Sequence, residues 1–178
     1  MLPMVYSPGL NPLISREAIS LTVKRLAGEI SLNYRHKNPL LLGVLKGSFV
    51  FLSDLMREMD FKMEVDFVCC ESYQATESSG KIKMTLPPRV SPGARHILIV
   101  EDIVDTGLTT SYLTKYIRKE HPSSVRLCAL LDKPSRRNTE VKIDYLGFTV
   151  PDKFIVGYGL DCGEEFRNLP ELYTLQRD

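Results

Sequence analysis

The chain has 178 residues, 43% hydrophobic and 25% charged, which fits one globular domain spanning 1–178. A formal net charge of +1 supplies no long-range field for bulk binding to nucleic acid or an anionic membrane, so any anion must be held by local groups. No apolar run approaches the roughly 18–20 residues of a bilayer span, Met1–Gly9 lacks a signal-peptide pattern, and the four cysteines have no C-x-x-C or zinc-ligand spacing; a cytoplasmic protein with free thiols is expected.

Ser15 predicts the cap of a helix running to about His36, in which Ile19, Val23, Leu26, Ala27 and Ile30 recur at helical spacing and Glu17 lies in the first turn. Pro39–Leu45 is a short apolar run without polar alternation, as expected of a strand buried on both faces. After Lys46-Gly47-Ser48, Phe49–Met59 reads as an amphipathic helix. Met63–Cys70 predicts another strand, and the polar stretch ESYQATESSG leads to a return strand at Lys81–Thr85, the outline of a flap hairpin. His96–Val100 predicts a strand and Leu108–Lys119 a helix. Further strands follow at Val125–Leu131, Tyr145–Phe148 and Phe154–Tyr158. The alternation predicts an α/β fold with a central, mostly parallel sheet flanked by helices.

The chemistry concentrates in ILIVEDIVDTGLTT, from Ile97 to Thr110. An apolar strand leads into Glu101, Asp102 and Asp105, and Thr106, Gly107, Leu108, Thr109 and Thr110 open a helix. Ligands of open α/β sheets bind beyond the carboxyl ends of strands, where these acids would sit. The free N–H groups of the helix start favour a phosphate, Gly107 permits close backbone approach, and the threonines add hydroxyl donors. Carboxylates beside a phosphorylated ligand repel it unless a cation intervenes or they meet its hydroxyls; Mg²⁺ and a ribose diol both answer that need.

This run resembles the phosphoribosyl pyrophosphate motif of type I phosphoribosyltransferases, two hydrophobics and two acids followed by D-T-G-x-T. The resemblance implies that Glu101 and Asp102 hold the ribose hydroxyls directly or through Mg²⁺, that Asp105 to Thr109 wrap the 5-phosphate, and that Asp105 is the acid or base near purine N7. Other segments are similar to the hypoxanthine-guanine branch from about Gly43 to Pro170. By that resemblance Leu45-Lys46-Gly47-Ser48 is the pyrophosphate loop, with a cis bond before Lys46, and Ser72-Tyr73 lies on a mobile flap that closes over the reaction centre.

Leu130-Leu131-Asp132-Lys133-Pro134 resembles the segment whose lysine reaches the purine O6; a cation there selects a 6-oxo acceptor over a 6-amino donor. In VPDKFIVGYGLD, from Val150 to Asp161, the resemblance makes Phe154 the ring that stacks on the purine. It makes Ile155 the backbone that reads the base edge, Asp161 a ligand of a second Mg²⁺, and Arg167 a pyrophosphate contact.

The implied activity is Mg²⁺-dependent transfer of phosphoribose from phosphoribosyl pyrophosphate to 6-oxopurine bases, on a type I fold with a small hood, in a homodimer or homotetramer. Gln74, Cys162 and Gly163 depart from the family pattern, which leaves flap closure and the pyrophosphate side open. Two other readings share the phosphate motif. One is an RNA-binding regulator of pyrimidine genes with weak uracil activity, opposed by Lys133, Phe154 and the near-neutral charge. The other is a phosphoribosyl pyrophosphate sensor without chemistry, opposed by Asp105.

Overall fold

The computed structural model describes residues 9–73 and 81–176. In chain order these form β1 (Leu10–Ile14), α1 (Arg16–Tyr34), β2 (Leu40–Leu45), α2 (Phe49–Arg57), β3 (Glu64–Tyr73), β4 (Lys81–Leu86), β5 (His96–Val104), α3 (Leu108–Arg118), β6 (Ser124–Asp132), β7 (Tyr145–Thr149), β8 (Phe154–Val156) and β9 (Leu172–Leu175). A single 3-10 turn, Pro134–Arg136, follows β6. The main sheet has six strands in the order β4-β3-β2-β5-β6-β7, parallel throughout except for the β3–β4 hairpin.

The apolar runs fill both faces of this sheet. Along β5, Leu98 and Val100 join the core under α1 and α2, whereas Ile97 and Ile99 join a second core with Leu113 and Ile117 of α3. β2 divides in the same way, with Leu41 on the first side and Leu40, Leu42 and Val44 on the second. That double burial is why these strands lack polar alternation. Ile97, Leu98, Ile99 and Val100 all have zero exposure, so truncating Ile97, Leu98 or Ile99 to alanine would cost about 2–5 kcal/mol.

Ser15 caps α1 as expected, its Oγ accepting from the Ala18 N–H at 3.3 Å. The strand bearing the acids is longer than its apolar core: β5 continues through Glu101 and Asp102 to Val104, because β6 runs alongside and pairs Glu101 with Ala129 and Val104 with Asp132. The expected Phe154 strand ends at Val156, where Gly157 at φ +97° and Tyr158 at φ +48° turn the chain. It also leaves the parallel sheet. β8 joins β1 and β9 in an antiparallel sheet of order β1-β9-β8, the small hood, with Leu10 opposite Leu175.

Ser72 and Tyr73 end β3, their backbones opposite Ile82 and Lys81 of β4. The flap tip expected at 74–80, with Gln74, lies outside the described residues. Among the described residues no helix is long and apolar enough to cross a membrane.

Candidate active site

A cleft of about 640 Å³ opens at the carboxyl ends of β2 and β5 and is bounded by the segment after β6 and by the hood. Its walls bring together Lys46, Gly47, Glu101, Asp102, Asp105, Thr109, Lys133, Phe154, Ile155, Asp161 and Arg167, residues spread over 122 positions of sequence between Lys46 and Arg167. Thr106 and Gly107 lie in the turn after Asp105 and Leu108 opens α3 just before Thr109, behind rather than on the cleft surface itself.

Two carboxylates form the floor. Glu101 is 5% exposed and its buried Oε2 has no hydrogen-bond partner among the described residues. Burial, reinforced by the charge of Asp102, pushes its carboxyl well above the usual range. Asp102 Oδ1 accepts from the Ile103 N–H at 2.9 Å, but burial still raises its carboxyl to about 6. Gly47 is the residue that lets the Lys46 loop pass this floor, since a Cβ there would overlap the Asp102 carboxylate. An orphaned buried oxygen beside a second carboxylate fits a hard divalent cation or a ligand hydroxyl that supplies the missing partner. Among the described residues no three His, Cys, Asp or Glu side chains converge as a ready-made cage. Magnesium sites commonly use one or two carboxylates and complete the shell with water and substrate oxygens.

Beyond the floor, the Asp105–Thr109 loop turns into α3 through Gly107 at φ +84°, a left-handed conformation suited to glycine. A Cβ on Gly107 would meet Thr139 O at 2.5 Å, so the loop is pressed against the 137–141 segment. Thr106 O accepts from the N–H groups of Asn138 and Thr139 at 2.9 and 3.1 Å, and Arg137 donates to the carbonyls of Asp105 and Val104, both at 3.1 Å. Arg137 is itself held by an ion pair to Asp132. The first intrahelical bond at this end is Ser111 N–H to Gly107 O, which leaves the first-turn amides at the cleft side of α3 without helical acceptors.

At one end of the cleft, Lys133 is only 5% exposed and its Nζ donates to Lys153 O at 2.9 Å. The Lys133 N–H donates to Val104 O at 3.0 Å, tying this lysine to the end of β5. Among the described residues the buried Asp105 Oδ1 accepts no hydrogen bond, and Arg136 Nε lies 3.4 Å away as an ion-pair partner. Phe154 opens β8 and Ile155, 5% exposed, pairs with Thr174. At the opposite end the Leu45–Lys46 peptide is cis. Lys46 Nζ lies 2.9 Å from Glu164 Oε1, and Arg167 reaches Asp161 Oδ1 and Gly159 O, both at 2.8 Å. Asp161 Oδ2 accepts from the Glu164 N–H at 2.9 Å, so both Asp161 oxygens are engaged within the protein.

Sequence reasoning did not single out Glu164, Arg136, Asp152, Lys153 or Cys70. Arg136 bridges Asp105 and Asp152 at 3.4 and 3.9 Å, and Cys70 lines the cleft with its thiol pushed up to about 11 by burial and by Glu101. Only the position of Arg136 beside Lys133 and of Lys153 beside Phe154 carried any sequence signal.

A profile of the phosphoribosyl transferase domain matches residues 13–162. The chain belongs to the phosphoribosyl transferase family. This phosphoribosyl transferase is 46% identical over 165 residues to the hypoxanthine-guanine phosphoribosyltransferase of Bacillus subtilis, covering 92% of each chain. It is 44% identical over 165 residues to the enzyme of the same name from Lactococcus lactis, covering 92% of this chain and 90% of the other. Among solved structures, a hypoxanthine phosphoribosyltransferase from Staphylococcus aureus superposes with a TM-score of 0.93 at 35% identity, over 99% of this chain and 97% of that one. A Bacillus anthracis hypoxanthine-guanine phosphoribosyltransferase gives 0.89 at 40% identity, over 93% and 98%.

Proposed function

We propose that this phosphoribosyl transferase salvages purines by joining hypoxanthine or guanine to phosphoribosyl pyrophosphate, yielding the nucleoside monophosphate and pyrophosphate. The observation that carries the reading is the buried Lys133 amine at the same end of the cleft as the Asp105 carboxylate, whose Oδ1 is buried and paired only with the Arg136 guanidinium at 3.4 Å among the described residues. A fixed donor suits a 6-oxo group and opposes a 6-amino group, which would leave two donors facing each other. The RNA-binding regulator of pyrimidine genes is not favoured, since relatives at 44–46% identity are named as hypoxanthine-guanine enzymes.

In the proposed reaction the bond from C1′ to the diphosphate oxygen breaks and a bond from C1′ to purine N9 forms. Asp105 takes the N7 proton as N9 attacks, while Lys133 donates to O6 and stabilises the charge moving onto it. Phe154 stacks on the base and the Ile155 backbone borders its edge. Asp105 to Thr109, including Thr106, Gly107 and Leu108, wrap the 5-phosphate with the amides at the start of α3. Lys46, Gly47 and Arg167 offset the charge of the departing diphosphate, and Ser72 and Tyr73 belong to the flap that excludes water.

Glu101 and Asp102 would hold the ribose hydroxyls and one Mg²⁺, and Asp161 would hold a second. When bound, Mg²⁺ supplies positive charge to the diphosphate oxygens. We further propose that the protein works as a homodimer or homotetramer, a reading that rests on the family resemblance.

The test is product balance. With Mg²⁺, phosphoribosyl pyrophosphate and hypoxanthine, inosine monophosphate and pyrophosphate should appear one for one, and a chelator should stop both. Tight phosphoribosyl pyrophosphate binding without product would instead support a sensor.

A further inference from the structure

A carboxylate lies between the two cations read as leaving-group contacts, and the proposed reaction does not use it. Glu164 Oε1 accepts from Lys46 Nζ at 2.9 Å, and Oε2 accepts from Arg167 Nε and Nη2 at 3.4 and 3.2 Å. Each oxygen therefore faces a different cation. The backbone that delivers it is shaped locally: Glu164 has φ +71°, its N–H donates to Asp161, and Cys162 and Glu165 exchange two backbone hydrogen bonds of 3.2 Å around it. Carboxylate and phosphate oxygens offer lysine and arginine the same kind of acceptor, so the position suits either anion but not both.

We infer that Glu164 is an internal counter-ion that competes with the diphosphate for Lys46 and Arg167 and so weakens retention of the pyrophosphate product. The inference rests on reading Lys46 and Arg167 as diphosphate contacts. Exchange is easy because the pair is open to solvent: the Lys46 and Glu164 side chains are 63% and 64% exposed, where an ion pair contributes little and water screens it. Removing the competitor would not scatter the cations. Arg167 stays held by Asp161 and Gly159, so the net result of losing Glu164 is a stronger hold on the diphosphate.

The experiment titrates pyrophosphate with Mg²⁺ into the full chain by calorimetry and measures product inhibition against phosphoribosyl pyrophosphate. Glu164→Gln should lower the pyrophosphate dissociation constant about two- to fivefold, the worth of an exposed ion pair, and the inhibition constant in step. Glu164→Asp should fall between it and wild type. Glu165→Gln makes the same charge change next door and should match wild type. Unchanged or weaker binding by Glu164→Gln, or an equal shift in Glu165→Gln, overturns the inference. Wild-type protein that binds no pyrophosphate overturns the functional reading and the inference with it. If wild type binds and turns over while Glu164→Gln is silent, the inference alone falls.

Discussion

The two ends of the cleft handle charge in opposite ways. At the proposed base end, Lys133 is 5% exposed, its amine is fixed on a backbone carbonyl, and the buried Asp105 Oδ1 accepts no hydrogen bond among the described residues, with the Arg136 guanidinium 3.4 Å away. At the proposed diphosphate end, Lys46 is 63% exposed and shares a carboxylate with the less exposed Arg167. On the proposed function, the difference follows from what each end must recognise. A neutral base offers only donors and acceptors, which discriminate when the protein groups are dry and fixed; a highly charged leaving group must be gripped and then released, which favours exposed, exchangeable cations.

The largest expected effect breaks the base end alone. Asp105→Asn should lower turnover by about 10²- to 10⁴-fold, the range for losing a positioned acid-base group, with little change in phosphoribosyl pyrophosphate affinity. Equal losses in both would assign Asp105 to phosphate binding instead. Lys133→Met should reduce kcat/KM for hypoxanthine about 10- to 100-fold, the worth of a hydrogen bond from a charged donor, and leave pyrophosphate binding intact. Steady-state kinetics beside calorimetry separates those outcomes; pyrophosphate binding that falls as steeply would mean the two ends are coupled.

Smaller effects probe the floor between the ends. Gly47→Ala drives a methyl into the Asp102 carboxylate and should cost about 1–3 kcal/mol, read as a lower Tm together with weaker phosphoribosyl pyrophosphate binding. Smallest is a pH effect on the ligand-free protein. Asp102 is raised to about 6 on folding and Glu101 is raised as well, so the unfolded chain gives up these protons first and stability falls as pH rises from about 4 through about 6. Between pH 5.5 and 7.5 Asp102 alone should cost of the order of 1 kcal/mol, or about 2–4 °C in Tm, and Asp102→Asn should flatten that slope. A ligand-free protein that gains stability across this interval would contradict the burial of the pair.

Most of the main sheet was legible because its strands and helices announce themselves locally. Ile97–Val100 and Leu40–Leu45 are apolar on both faces, and Ser15 caps its helix through a contact three residues away. The hood was only partly legible: β1 and β9 are short, β1 contains Pro12, and their pairing joins Leu10 to Leu175 across nearly the whole chain. The acids were found from their pattern, but that they lie within β5 depends on β6 continuing beside them. The Lys133 amine is fixed by the carbonyl of Lys153, 20 residues on, and the Glu164 contact with Lys46 spans 118 residues; neither separation leaves a periodic trace.

The most direct measurement is the ratio of kcat/KM for hypoxanthine to that for adenine, with saturating phosphoribosyl pyrophosphate and Mg²⁺. A buried donor facing the 6-position predicts a ratio of at least about 10³. A ratio near one, or turnover of uracil in place of either purine, would contradict the account.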